Sequence, residues 1–302
     1  MTGTDKTDFL EITDLTDVEI DRVLELAELT NPPQILSGSG GVIAFEKPSA
    51  RTRVSMEMAT AQLGGHPVTV RDEEIGIDRR ESAEDLARLF SGYGRFIAAR
   101  VFEHSKLERL AAHASVPVIN LLSDQSHPIQ ILADLLTVRQ EFGQLAGLTY
   151  AWVGDANNVA RSFVLGAHRV GGNVRIAHPE GFGFDATTSA DIAKEGVPIF
   201  DTRDPREAVA GADVVYTDTW YSMGQEAEQH ERVPVFRPYQ VDDSLMADAA
   251  SHAIFLHCLP AHRGEEATDS VLDGPQSRIF EQAHNRMHSA RGLMLHLCGG
   301  GA

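Results

Sequence analysis

Apolar positions along the chain follow two rhythms that take turns. Short apolar runs of four to eight residues read as buried strands: GVIAF from Gly41, HPVTV from His66, RFIAARVF from Arg95 and VPVINLL from Val116. Between them lie stretches with apolar residues three and four apart, which read as helices. They comprise 8–30, ARTRVSMEMATAQLGG from Ala50, SAEDLARLFSGY from Ser82, KLERLAAHA from Lys106 and HPIQILADLLTVRQEFG from His127. In the first, Thr16 or Asp17 is the capping candidate, and Ile20, Val23, Leu24 and Leu26 form the apolar face. Residues 71–82 break both rhythms and read as a charged loop.

After Gly147 the alternation restarts. LTYAWVGDA, NVRIAHPEG, DVVYTDTW and AIFLHCLPA read as strands. VARSFVLGAHRVG, SADIAKEG and DPREAVAGA read as helices, and a last helix runs from about Pro275 to His296. Alternating strands and helices predict an α/β fold with parallel sheets. Two such series predict two doubly wound domains, with the active site in the cleft between them and the last helix packing back on the first domain. The expected boundaries are 1–134 and 148–274, joined by interdomain helices in 135–147 and 275–302.

Composition narrows the class. At 302 residues the chain is long enough for two domains, and 42% apolar with 23% charged residues is globular. The net charge of −18 disfavours nucleic acid and anionic membranes as partners, but leaves a small anionic substrate open. Cys258 and Cys298 are the only cysteines, too few for a disulfide framework. The first residues lack the pattern of a signal peptide, and no apolar run is long enough to span a membrane. The default expectation is a cytoplasmic enzyme.

In open α/β sheets, ligands gather at the carboxyl ends of the strands, so the strand-to-helix joints carry the chemistry. Ser49-Ala50-Arg51-Thr52-Arg53 opens a helix after a strand. Backbone N–H groups, hydroxyls and guanidinium forks there suit a phosphate, although a capped helix with exposed arginines needs the same residues. Arg100 closes an apolar strand. His127 precedes Pro128 at a helix start, with Gln130 one turn on; a plain helix cap explains these as well. Asn157-Asn158 follow a glycine turn without a G-x-G-x-x-G fingerprint, which weakens a nicotinamide reading and suits an amino-acid head group. Asp218 ends a strand and leads to Ser222-Met223-Gly224; Cys258 ends another; Arg286 lies in the last helix. His252, His257 and His262 are five residues apart, a spacing that fits no usual metal site. Together these features predict a two-substrate enzyme.

The motifs EKPSARTR, SDQSHPIQILAD, VGDANN, TDTWYSMGQE, HCLPAHRGEE and NRMH, in this order, resemble those of the aspartate/ornithine carbamoyltransferase family, its ornithine branch most closely. The resemblance spans nearly the whole chain. It implies transfer of the carbamoyl group from carbamoyl phosphate to the δ-amine of L-ornithine, giving L-citrulline and phosphate, a step of arginine biosynthesis. It assigns Ser49, Ala50, Arg51 and Thr52 to the phosphate, and Arg100, His127 and Gln130 to the carbamoyl group. Asn158, Asp218, Ser222 and Met223 are assigned to ornithine. Cys258, Leu259 and Arg286 complete the site. Within this set, Arg51, Arg100, His127, Gln130 and Cys258 are the catalytic candidates. The resemblance implies neither metal nor organic cofactor, and it implies a homotrimer, or a multiple of trimers, in which a neighbour's loop reaches each site.

Three positions depart from the family pattern. Ala50 replaces a usual Thr, Leu86 another, and Gly76 stands near the reaching loop's usual Gln, among Asp72, Glu73, Glu74 and Asp78. Arg79 and Arg80 offer compensating charge. A carbamoyltransferase for another amine, such as putrescine or an acylated ornithine, and a non-catalytic paralogue are the competing readings.

Overall fold

The computed structural model describes residues 6–221 and 228–299. Two compact units emerge. The first contains the chain up to Leu136 and from His284 onward; the second contains Thr137–Ala283.

The first unit begins with an extended segment that pairs Phe9 beside Ile119. The carboxylate of Asp14 accepts from the backbone N–H groups of Leu10 and Glu11, closing a turn where a helix was expected from residue 8. Helix α1 (Asp17–Ala27) starts only after Thr16, whose hydroxyl and the Glu19 carboxylate form a reciprocal capping box. Its buried face is Ile20, Val23, Leu24 and Ala27. The sheet comprises β1 (Gly40–Phe45), β2 (His66–Arg71), β3 (Ile97–Arg100) and β4 (Val118–Leu122). All pairs are parallel, in the order β2-β1-β3-β4. The fully buried run of β1 and the half-exposed pattern of β2 are those of a central and an edge strand. Helices α2 (Ala50–Gln62), α4 (Ala83–Ser91), α5 (His104–His113) and the start of α6 (Pro128–Phe142) complete the layers. Within the charged loop, Asp72–Ile75 forms one short turn of helix, α3, stopped by Gly76 in the left-handed region at φ 45°.

The second unit carries β5 (Thr149–Val153), β6 (Asn173–Ala177), β7 (Ile199–Thr202), β8 (Val214–Thr217) and β9 (Ile254–His257). They form a parallel sheet in the order β7-β6-β5-β8-β9. Around it lie α7 (Asn158–Arg169), α8 (Ala186–Lys194), α9 (Pro205–Val209) and α10 (Gln229–Phe236). Single turns α11 (Asp243–Met246) and α12 (Asp269–Leu272) follow. Strand β7, absent from the sequence reading, is a four-residue, half-exposed edge strand that begins inside the short run VPIF and ends on the polar Asp201 and Thr202.

The last helix, α13 (Ile279–Cys298), packs back on the first unit. Gly292 permits this contact: a Cβ there would stand 2.3 Å from the Val23 carbonyl oxygen and 2.8 Å from the Ala27 nitrogen. Arg291 then donates to the carbonyls of Ala27 and Leu29, satisfying acceptors that the end of α1 leaves open. Among the described residues, no helix is long and apolar enough to cross a membrane.

Both sheets reverse their winding once. In the first, the reversal lies between β1 and β3; in the second, between β5 and β8. Such reversals open a crevice at the strands' carboxyl ends, where ligands of open α/β sheets bind.

Candidate active site

In the first unit, the loop after β1 leads into α2. Ser49 caps that helix, accepting from the Thr52 N–H at 3.3 Å while its own hydroxyl donates to Thr52 Oγ1 at 3.1 Å. Ala50 and Arg51, at the first helical positions, are exposed. Thr52 is buried, and its Oγ1 also accepts from Arg286 Nη2 at 2.5 Å. The last helix therefore delivers a guanidinium to the N-terminus of α2. Arg100, the last residue of β3, is 6% exposed, and its carbonyl accepts from the Glu46 N–H. Lys47 sits with its ammonium 4.5 Å from the centre of the Phe102 ring.

His127 is buried immediately before Pro128, the first residue of α6. Burial first, then the charges of Arg286, Arg100 and Arg51, push its pKa well below the ordinary range for imidazole. It is neutral at physiological pH. It therefore carries one N–H donor and adds no charge to a site already rich in cations. Gln130 donates to Asp134 Oδ1 at 2.8 Å, and its own amide oxygen is buried with no hydrogen-bond partner among the described residues. Such an acceptor suits an N–H on a ligand. The assembled group offers three guanidinium groups, a helix N-terminus, two hydroxyls and a neutral imidazole. It can hold a phosphate and polarise a carbonyl attached to it.

A pocket of about 530 Å³ lies on the other flank of α2, lined by Glu46, Ser49, Ala50, Arg53, Arg71 and Glu73 among others. The 71–82 loop borders it. Arg79 pairs with Asp72, and Arg80 donates to the Glu73 carbonyl at 3.0 Å. Arg109 grips Asp78 through two bonds of 2.8 and 2.9 Å, and reaches Glu84 as well. Asp78 is held at a φ of 62°, uncommon for a residue with a side chain. Arg79 and Arg80 are thus both engaged within the loop itself.

In the second unit the loops after β5, β8 and β9 converge. Asn157 caps α7 through its side-chain oxygen, which accepts from the N–H groups of Val159 and Ala160. Its amide nitrogen donates to Asp218 Oδ2 at 3.0 Å. Asn158 is the first residue of α7. Asp218 is 8% exposed, and its Oδ1 accepts from Cys258 Sγ at 3.0 Å. A nearly buried carboxylate flanked by an amide and a thiol can receive an ammonium group. Leu259 follows at a φ of 58°, its N–H donating to His257 Nδ1 at 2.9 Å. His257 Nε2 faces Glu266 Oε1 at 3.2 Å, which fixes the imidazole tautomer with the proton on Nε2.

The candidates thus fall into two sets. Ser49, Ala50, Arg51, Thr52, Arg100, His127, Gln130 and Arg286 all lie in the first unit, at or beside the ends of β1 and β3 or on α6 and α13. Asn158, Asp218, Cys258 and Leu259 lie in the second. Ser222 and Met223 lie outside the described residues. Among the described residues, two groups offer clustered metal-ligand atoms: Asp218, His257 and Cys258, and His262, Glu265 and Glu266. In the first group both ring nitrogens of His257 are already engaged, leaving two donors. His252, by contrast, pairs with Asp213, so the three histidines of the sequence reading do not share one site.

The sequence reading missed the Asn157–Asp218 bond and the role of Arg232. Arg232 Nε donates to the Trp220 carbonyl, and its Nη2 pairs with Asp155. Nothing local in VPVF or QHER announces it; only the long-range contacts do.

Residues 7–140 match the sequence model of the carbamoyl-P binding domain of aspartate/ornithine carbamoyltransferase, and residues 146–297 match that of its Asp/Orn binding domain. The chain is 48% identical to the ornithine carbamoyltransferase of Carboxydothermus hydrogenoformans over 97% of each protein. It is 47% identical to that of Anoxybacillus flavithermus over 96% of each. Among solved structures, it superposes on the ornithine carbamoyltransferase of Pyrococcus furiosus with a TM-score of 0.92, 42% identity and 99% coverage of both chains.

Proposed function

Because the chain belongs to the aspartate/ornithine carbamoyltransferase family, we propose that it transfers the carbamoyl group of carbamoyl phosphate to the δ-amine of L-ornithine. The observation that carries the chemistry is the buried, neutral His127 amid the charges of Arg51, Arg100 and Arg286, beside the capped start of α2. A phosphate held by Ser49, Thr52, Arg51 and the first N–H groups of α2 presents its carbamoyl carbonyl to Arg100 and His127. Gln130 takes the carbamoyl N–H. In the second unit, Asp218 and Asn158 hold the α-ammonium and carboxylate of ornithine, with Ser222 and Met223 as further candidates.

The neutral δ-amine attacks the carbamoyl carbon and forms the new C–N bond. Negative charge grows on the carbonyl oxygen, where the His127 N–H and the Arg100 guanidinium stabilise it. The C–O bond to phosphate breaks as the tetrahedral intermediate collapses, and the proton lost by the amine leaves on the phosphate. Citrulline and hydrogen phosphate balance the reaction. No step uses a metal or an organic cofactor. Holding both substrates in line supplies much of the acceleration.

The units divide the work, the first binding carbamoyl phosphate and the second ornithine. The protein acts in the cytoplasm in arginine biosynthesis, as a homotrimer that presents the 71–82 loop to a neighbouring site. Support for the trimer comes from exposed Val54, Met58 and Val68, an apolar patch on α2 and edge strand β2 that a partner would cover. Sedimentation should give three times the 32.9 kDa chain mass, or a multiple of it. The function is tested by measuring carbamoylated product and phosphate with ornithine, putrescine, N-acetylornithine and aspartate as acceptors. Turnover with ornithine at least a hundredfold above the others is expected; turnover with another amine alone overturns it.

A further inference from the structure

Arg232 lies on α10, outside both sets of candidate residues, yet it is 9% exposed and fully engaged. Its guanidinium spans two loops. Nη2 pairs with the Asp155 carboxylate in the loop after β5, and Nε donates to the carbonyl of Trp220 in the loop after β8. Two rings complete the cage: the guanidinium carbon stands 4.8 Å from the centre of Phe182 and 5.3 Å from that of Phe236. Phe182 is in turn anchored, its carbonyl accepting from the Ala156 N–H. Trp220 stacks on Phe236 at 5.8 Å. Arg232 therefore binds one residue two positions before Asn157 and another two positions after Asp218.

Asn157 and Asp218 meet through a single 3.0 Å hydrogen bond between these same two loops. Resting on the reading of Asp218 as the anchor of the acceptor's ammonium, we propose that Arg232 is a positioning residue for the acceptor: it clamps the loops after β5 and β8 and thereby fixes Asp218 against Asn157. The clamp also counters charge. Asp155 and Asp218 repel each other, and the Asp155 carboxyl is pushed up to about 6, by burial first, with Arg232 opposing that rise. Without the guanidinium, Asp155 loses its counter-ion and the loop after β5 loses its tie to Trp220 beside Asp218. Lysine supplies the charge but cannot reach an acid and a carbonyl from one rigid fork.

The test compares Arg232→Gln and Arg232→Lys with the wild type in steady-state kinetics, varying each substrate separately, with thermal unfolding as a control. Arg232→Gln should raise KM for ornithine at least tenfold and leave KM for carbamoyl phosphate within twofold. Arg232→Lys should fall between. A merely structural role would lower the active fraction, reducing kcat with both KM values unchanged. An ornithine KM within twofold of wild type in Arg232→Gln overturns the proposal. A readout free of turnover separates it from the proposed function. Cys258 Sγ donates to Asp218 Oδ1 and is half-buried, whereas Cys298 is buried, so iodoacetamide reports on Cys258. Alkylation should quicken at least threefold in Arg232→Gln as Asp218 withdraws. If the wild type fails to carbamoylate ornithine, the proposed function falls, and an unchanged alkylation rate then overturns the clamp as well.

Discussion

Arg286 Nη2 donates to Thr52 Oγ1 across 2.5 Å, joining residues 234 positions apart in a contact nearly closed to solvent. The same Thr52 is bonded to the helix-capping Ser49, so one hydroxyl ties the C-terminal helix to the start of α2. A charge-assisted hydrogen bond of this kind contributes about 1.5–3 kcal/mol. Arg286→Gln should therefore lower kcat/KM for carbamoyl phosphate roughly tenfold to a hundredfold, with KM for ornithine moving far less. Initial rates at varied carbamoyl phosphate check this, and an unchanged KM would remove Arg286 from the phosphate site.

Arg51 gives the contrasting case. It is exposed at the second position of α2. Arg51→Ala should leave unfolding free energy within about 0.5 kcal/mol of wild type. Carbamoyl-phosphate binding, followed by calorimetry with a phosphonate analogue, should nevertheless collapse. Wild-type affinity in that variant would show that the side chain faces away from the ligand.

His127 makes stability fall on the acid side. Its folded-state pKa lies well below that of the unfolded chain, so the unfolded state takes up a proton first as pH drops below about 6.5. The contribution is present above that pH and is lost as pH falls from it toward the folded-state value, with a limiting slope of about 1.4 kcal/mol per pH unit. Buried His104 and half-buried His288 and His296 shift the same way, so His127→Gln should flatten the profile without abolishing it. Urea unfolding at pH 7, 6 and 5 measures the difference; identical profiles in variant and wild type would contradict a buried neutral His127.

Asp155 has the opposite sign. Its raised pKa means that this carboxyl favours the folded state most below about 4, and the contribution is lost as pH rises through about 6. For ornithine, protonation matters more: below about pH 6 the pair with Arg232 loses its charge, while Asp218 and His178 still face the group. Beyond the steady loss from protonating the amine, kcat/KM for ornithine should drop more steeply there. Asp155→Asn should lack that step and start from a lower value. A variant profile parallel to wild type through pH 5–7 would refute the assignment.

Gly292 tests the packing. A methyl group there meets the Val23 carbonyl at 2.3 Å, backbone that α1 cannot move cheaply. Gly292→Ala should cost about 1–3 kcal/mol by overpacking, read from chemical denaturation. Full stability would mean that α13 shifts freely along α1.

The sequence discloses the first half of the candidate site better than the second, for a physical reason. Ser49, Arg51 and Thr52 share one helix turn, and Arg100 and His127 stand where strands and helices visibly change, so local pattern exposes them. Apolar β1 and the Thr16 cap were legible on the same grounds. Asp218 meets Asn157 only across 61 residues, and Arg232 meets Asp155 across 77. Such pairs have no local signature, because their partners are chosen by sheet order. Strand β7 was lost for another reason: the run VPIF is short and carries Pro198, and only its last two residues enter the strand, which continues through polar Asp201 and Thr202.

The return of α13 to the first unit has a consequence for biosynthesis. At about 5–20 residues per second, a ribosome needs some tens of seconds after releasing Thr52 before Arg286 and Gly292 exist. The first unit waits throughout with the groove over α1 unfilled and the start of α2 without the guanidinium that Arg286 brings to Thr52. The second unit, continuous in the chain from Thr137 to Ala283, is free to fold in the meantime. The unit whose strands are translated first is thus completed last, by a helix finished only after the whole of the second unit.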